Sequence, residues 1–156
     1  MNAFEPYVRL LFTPPSELIK GLQRKEFGIN FDIKADEQKF AQVVLFYLDS
    51  SSLELLTGLM NELCLNNDSN YSIFFKNCLF WVVEQADEWQ KTEVKRFFQE
   101  QVFCIDPDYL FDVCSKLELV VYKDQLRDYA VYLGMCKQFR KLTRLIRDFG
   151  IIVWGI

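Results

Sequence analysis

An all-α fold is what this chain predicts, a compact helical bundle of about six to eight helices with room for one minor short β element. Three observations carry that expectation. Apolar residues recur at three- and four-residue spacing, as in Phe40, Val43, Val44 and Tyr47, which is the period of a helix with one buried face. Helix-start chemistry recurs at Ser51-Ser52-Leu53-Glu54 and at Asp106-Pro107-Asp108. Long Gly, Ser, Pro or Gln tracts are absent, and a chain that is 51% hydrophobic and 16% aromatic can offset its ordering entropy by burial.

In chain order, residues 4–12 form an apolar opening segment that Thr13-Pro14-Pro15-Ser16 breaks before a short helical run at 17–24. Gly28-Ile29-Asn30-Phe31-Asp32-Ile33 alternates apolar and polar residues and is the strand candidate. Asp36 is placed to cap a helix running to residue 48. Ser51 and Glu54 have capping-box spacing, so a helix is expected from there to residue 65, ending at the polar loop 66–70. Two helices follow, near 71–85 and 87–101; residues 73–83 are apolar nearly all round, which marks a central buried helix.

Asp106 as cap and Pro107 in the first turn start the next helix, through 117, because proline's missing N–H costs nothing there. Residues 119–122 read as a short strand or an extended link. Two closing helices, near 123–134 and 137–149, stop at Gly150, a natural C-terminal cap. The apolar tail Ile151-Ile152-Val153-Trp154-Gly155-Ile156 is expected to be buried or bound.

Charge is unevenly placed. The net charge is −4, yet residues 121–156 hold seven Lys and Arg against three Asp, a net of +4 that leaves −8 for the remainder. Lys137, Arg140, Lys141, Arg144 and Arg147 recur at three and four residues and are expected on one broad face of the last helix, with Phe139, Leu142, Leu145 and Ile146 turned inward. These five cations are the candidate partner-binding residues. Such a face suits phosphates, acidic peptides or an acidic neighbouring subunit; the overall acidity makes nucleic acid the weaker choice.

Catalytic signatures are missing. With no histidine, imidazole-dependent serine, cysteine and metal sites cannot be assembled from this chain alone. Neither a Gly-x-x-x-x-Gly-Lys loop nor a Gly-x-Gly-x-x-Gly turn is present, so the common phosphate cradles are lacking. The cysteines, Cys64, Cys78, Cys104, Cys114 and Cys136, include no pair at zinc-ligand spacing and read as reduced thiols. Cys104 or Cys114 as a nucleophile needs lysine or a helix end to lower its pKa. The adjacent pairs Asp36/Glu37 and Asp87/Glu88 point about 100° apart on a helix and read as surface charge. The expectation is a non-enzyme with no cofactor and no metal. No stretch reaches the roughly 18 apolar residues of a membrane span and no secretory signal opens the chain, so a cytoplasmic location is expected.

From about residue 103 to 152 the chain resembles the effector-associated domains, small death-like helical adaptors of bacterial conflict and defence systems. The residues that carry the likeness are Leu110-x-x-Val113-Cys114-x-x-Leu117-x-Leu119, then Tyr132, then Leu142-x-x-x-Ile146-Arg147-x-x-x-Ile151. Gly150 stands close to the family's expected proline, and the usual Gly-containing loop before the third part is absent. The resemblance implies a subdivision of the helical domain 1–156 into 1–102 and a death-like 103–156. It further implies a non-catalytic module that binds a like domain on a sensor or effector, or a second copy, through charged helix faces. Lys137, Arg140, Lys141, Arg144 and Arg147 would then form one face and Asp87, Glu88 and Glu93 its complement. Two rival readings are a viral or mobile-element inhibitor of a host enzyme and a nucleic-acid-associated small subunit.

Overall fold

The structure, a computed structural model, describes residues 3–65, 71–101 and 105–150. It is all-α. Among the described residues there are nine α-helices, one 3-10 turn and no strand, one helix more than the upper expectation because the opening segment also forms a helix, Glu5–Leu11. In order they are α1 (Glu5–Leu11), α2 (Pro15–Gln23), α3 (Lys34–Phe46), the 3-10 turn Leu48–Ser50, α4 (Ser52–Leu65), α5 (Ser72–Gln85), α6 (Glu88–Glu100), α7 (Pro107–Leu117), α8 (Lys123–Met135) and α9 (Phe139–Phe149). The expected loop 66–70, the tail 151–156 and Cys104 lie outside the described residues. The chain separates into two compact units, Met1–Val94 and Lys95–Ile156, the division falling inside α6.

In the first unit α3 packs along α5, α1 against α3 and α4, and α2 against α4. Leu10, Leu11, Leu18, Phe40, Leu56, Leu59, Leu63 and Phe75 have no solvent exposure. The rings of Phe31, Phe40, Phe74 and Phe75 cluster with centroids 4.7 to 6.4 Å apart, at edge-to-face or tilted angles that suit the aromatic quadrupole. Ser52, fully buried at the start of α4, donates through Oγ to the carbonyl of Val44 at 2.5 Å. That carbonyl belongs to the last turn of α3, whose acceptors have no partner within their own helix, so one hydroxyl joins two helix ends.

The strand expected at 28–33 is a loop. Gly28 takes a left-handed φ of 66°, which breaks an extended run, and Phe31 turns in to lie 4.7 Å from Phe74. Asp36 does not cap α3 either. The helix starts two residues earlier at Lys34, and the Asp36 carboxylate folds back to accept from Asn30 N–H at 2.9 Å and the Tyr7 hydroxyl at 2.6 Å. Nor is α5 buried all round: Phe74, Phe75, Cys78, Leu79 and Val82 face the core, whereas Ile73 is exposed. Residues 119–122 form the extended link, held where the Gln99 side chain donates to Val120 O at 2.7 Å and accepts from Val120 N–H at 2.9 Å.

In the second unit Asp106 caps α7, accepting from Asp108 N–H at 3.0 Å with Pro107 following, as its sequence predicts. α9 packs on both α7 and α8. Gly150 ends α9 with φ 69°, a conformation that side chains disfavour. No described helix is long and apolar enough to cross a membrane.

Two outcomes test these contacts. Ser52→Ala strands a buried carbonyl and is expected to cost about 1–3 kcal/mol, read from the urea midpoint. Burial, and then Asp36, raises the Tyr7 pKa above its usual range; burial and the Glu37 charge raise Cys78, and burial lifts Cys114 from 9.0 to about 11. The native state therefore keeps protons that the unfolded chain releases, so stability holds below about pH 9 and falls as pH rises beyond it. Urea midpoints that stay level from pH 8 to pH 10 contradict this.

Candidate protein-docking face

The second unit carries the sequence's candidate site, and the fold rearranges it. α8 closes with paired bonds, Lys137 N–H to Gly134 O at 3.1 Å and Gln138 N–H to Leu133 O at 2.8 Å, the Schellman pattern. Lys137 occupies its left-handed position, φ 59°. It is therefore spent on the turn, and α9 begins two residues later than the cation spacing implied. Counting from Phe139, the helical period brings Lys141 round beside Leu145, four residues on, and both are buried.

The five cations thus do not share one outward face, and the expected inward set is corrected as well. Leu145 is buried and Leu142 and Ile146 are half-buried, but Phe139 is on the outside, 61% exposed. The outward face of α9 is Phe139, Arg140, Thr143 and Arg147; Arg140, Thr143, Arg144 and Arg147 line a shallow concavity of ≈ 430 Å³.

Most of the positive charge meets carboxylates of the same unit. Lys141 Nζ pairs with Asp106 Oδ2, both side chains only 10% exposed. Arg140 makes a two-pronged contact with Asp108, 3.0 Å at each nitrogen. Arg144 Nε donates to Asp148 at 2.7 Å, and Arg147 Nε stands 3.9 Å from the same carboxylate. The hydrogen bond to Asp148, with the charges of Asp148, Asp108 and Asp112, raises the Arg144 pKa against the opposing effect of burial. Five cations among four carboxylates leave a net of about +1. Two of the cations, Arg140 and Lys141, lie in the first turn of α9, where the helix dipole opposes positive charge; Asp106 and Asp108 offset that cost.

What the sequence reading passed over is the apolar surface beside them. α8 buries Leu126, Ala130 and Leu133, yet Val131, Tyr132 and Met135, on the opposite side of the helix, are 54%, 60% and 79% exposed. Phe139, four residues beyond Met135 and past the turn, is exposed as well. The signal was present as a second apolar stripe on a helix that already had one, spaced one, three and four residues apart. Tyr132 entered only through the family likeness. Cys136 is exposed at the same corner, and Cys114 is buried in α7; its raised pKa keeps it a thiol at neutral pH.

No family model, curated protein or solved structure matches the chain. The geometry of this corner therefore carries the functional reading.

The ion pairs differ in burial, and their removal should differ accordingly. Asp106→Asn keeps a capping side chain but leaves Lys141 buried without its counter-ion, an expected loss of about 3–5 kcal/mol. Arg140→Gln breaks a contact whose guanidinium is mostly exposed, with an expected loss of about 0.2–1 kcal/mol. Thermal unfolding of both variants checks the ranking; a reversed order would remove Lys141 from the structural role.

Proposed function

We propose that this chain is a non-catalytic protein–protein interaction module, an adaptor or regulator, that docks through the α8–α9 corner. The observation that carries the reading is that Val131, Tyr132, Met135 and Phe139, all within nine residues spanning the α8–α9 turn, are each more than half exposed. Water-exposed apolar groups gathered in this way mark a surface meant to be covered, and aromatic residues, methionine and arginine are the types enriched at protein interfaces. Lys137, Arg140 and Arg147 stand at the rim as exposed cations. The partner that fits is a protein surface with an apolar seat bordered by carboxylates.

In this reading the five candidate cations divide their roles. Lys137, Arg140 and Arg147 steer the partner and set orientation, Lys141 anchors α9 internally, and Arg144 is held by Asp148. Carboxylates so close to the cations weaken phosphate binding, which scales with the positive charge left to displace counterions; protein is favoured over nucleic acid. The likeness of about residues 103–152 to effector-associated domains supports the proposed setting, coupling of a sensor to an effector in a bacterial defence system.

The test is co-expression with the products of neighbouring genes, followed by affinity measurement on purified pairs. Met135→Glu with Phe139→Ser is expected to weaken binding by at least about thirtyfold, the scale of an interface hot spot. Lys137→Glu with Arg147→Glu should slow association and flatten its salt dependence. Concentration-dependent dimerisation of the wild type, abolished by Met135→Glu, would identify a second copy as the partner. Folded corner variants that bind every partner as the wild type does would overturn the reading.

A further inference from the structure

The first unit holds a groove that the proposed docking function does not use. It has a volume of ≈ 510 Å³ and is lined by Asp32, Lys34, Glu37, Asn77, Phe80, Trp81 and Glu84, a size within the range of small-ligand sites. Its floor and walls follow from helical spacing. Asn77, Phe80, Trp81 and Glu84 recur at three, four and seven residues along α5 and form a stripe beside the buried one. Lys34 and Glu37 project from the first turn of α3, and Asp32 stands just before it.

Three features of this groove select positive charge. Glu37 is only 9% exposed, and its two oxygens accept from neutral donors, Asn77 Nδ2 at 2.9 Å and Trp81 Nε1 at 3.3 Å. A buried carboxylate is costly without a counter-ion, and each of its oxygens has a further lone pair to offer. Second, the bond from Trp81 Nε1 fixes the indole plane, and Lys34 Nζ lies over that ring at 4.9 Å from the centroid. The chain's own ammonium thus already occupies an aromatic face of the kind that binds cations. Third, Asp32, Glu37 and Glu84 outnumber Lys34 among the lining groups, leaving a formal charge of −2.

We infer that the α3–α5 groove is a binding site for an organic cation, a guanidinium or alkylammonium group, which stacks on Trp81 and pairs with Glu37, Asp32 and Glu84 after displacing Lys34. Lys34 is then a built-in competitor: it shields the indole in the empty state and leaves when a better-fitting cation arrives. The same chemistry is supplied by a free small molecule or by an arginine or lysine side chain of a protein segment. The site lies wholly within the first unit and is independent of the α8–α9 corner.

The test uses the full-length protein and the indole N–H resonance of Trp81, assigned by its loss in Trp81→Phe. Titration with N-acetylarginine amide or tetramethylammonium chloride is expected to shift that resonance saturably. The neutral citrulline analogue and sodium chloride at matched ionic strength are expected to leave it in place. Glu37→Gln, and independently the surface change Glu84→Gln, should weaken binding by about tenfold or less each, as loss of one charge contact predicts. Lys34→Ala should tighten it several-fold, about the effect of removing one repelling charge. A Gly/Ser peptide bearing one arginine that binds more tightly than the free amide identifies a protein segment as the source, and equal affinity identifies a small molecule. Absence of a saturable shift, an equal response to citrulline, or weaker binding by folded Lys34→Ala would overturn the assignment.

Discussion

Turning Lys141 inward against Asp106 is the contact on which the second unit depends. An eleven-residue helix is too short to persist by itself in water, and α9 has only Leu145 as a fully buried apolar side chain. Its first turn also carries two cations at the wrong end of the helix dipole. Asp106 answers several of these demands together. It caps α7 by accepting from Asp108 N–H, and it gives Lys141 a carboxylate partner where both are nearly dry. With Arg140 clasping Asp108, the start of α7 and the start of α9 are held together, and Phe111, near the middle of α7, meets Phe149, the last residue of α9, at 5.5 Å.

Both surfaces with a proposed role arise from helices that carry more than one meaningful stripe. On α8 the second stripe is apolar and exposed, near cations of which most, Arg140, Lys141, Arg144 and Arg147 but not Lys137, stand beside carboxylates of the described residues. On α5 it is mixed, with Trp81 and Phe80 beside Asn77 and Glu84, next to the buried Glu37 of α3. Their chemistry is complementary in kind: one presents apolar area with a positive rim, the other an aromatic wall with negative charge. Neither requires histidine, metal ligation or an activated thiol, so each is consistent with a chain that has no histidine and is rich in aromatic side chains.

Much of the helical layout was legible because helix starts have local chemistry. Asp106-Pro107 and Gly150 mark the start of α7 and the end of α9 where the structure has them, since capping depends on neighbours in the chain, and α4 starts at Ser52, one residue past the expected cap. Errors came where a side chain reached further. Asp36 resembles a cap but serves Tyr7, twenty-nine residues away, and the alternation at 28–33 yields to Gly28 and to the pull of Phe31 into the aromatic cluster. The cation stripe departs from its spacing for a similar reason. Spacing alone cannot tell that Lys137 closes the preceding helix, nor that Asp106 lies opposite Lys141 and draws it inward.

From its residues alone this chain is determined to be helical, rich in buried aromatic area, without imidazole chemistry, and positively charged towards its end; these follow from composition and from interactions a few residues long. Tertiary packing alone decided which charges are neutralised and which apolar groups stay wet. Lys141 and Met135 show why: hydropathy assigns the lysine to water and the methionine to the core, but Asp106 supplies a counter-ion for the first, while no described part of the fold covers the second. Exposure is a property of what lies opposite a side chain, and that is fixed only when distant segments meet.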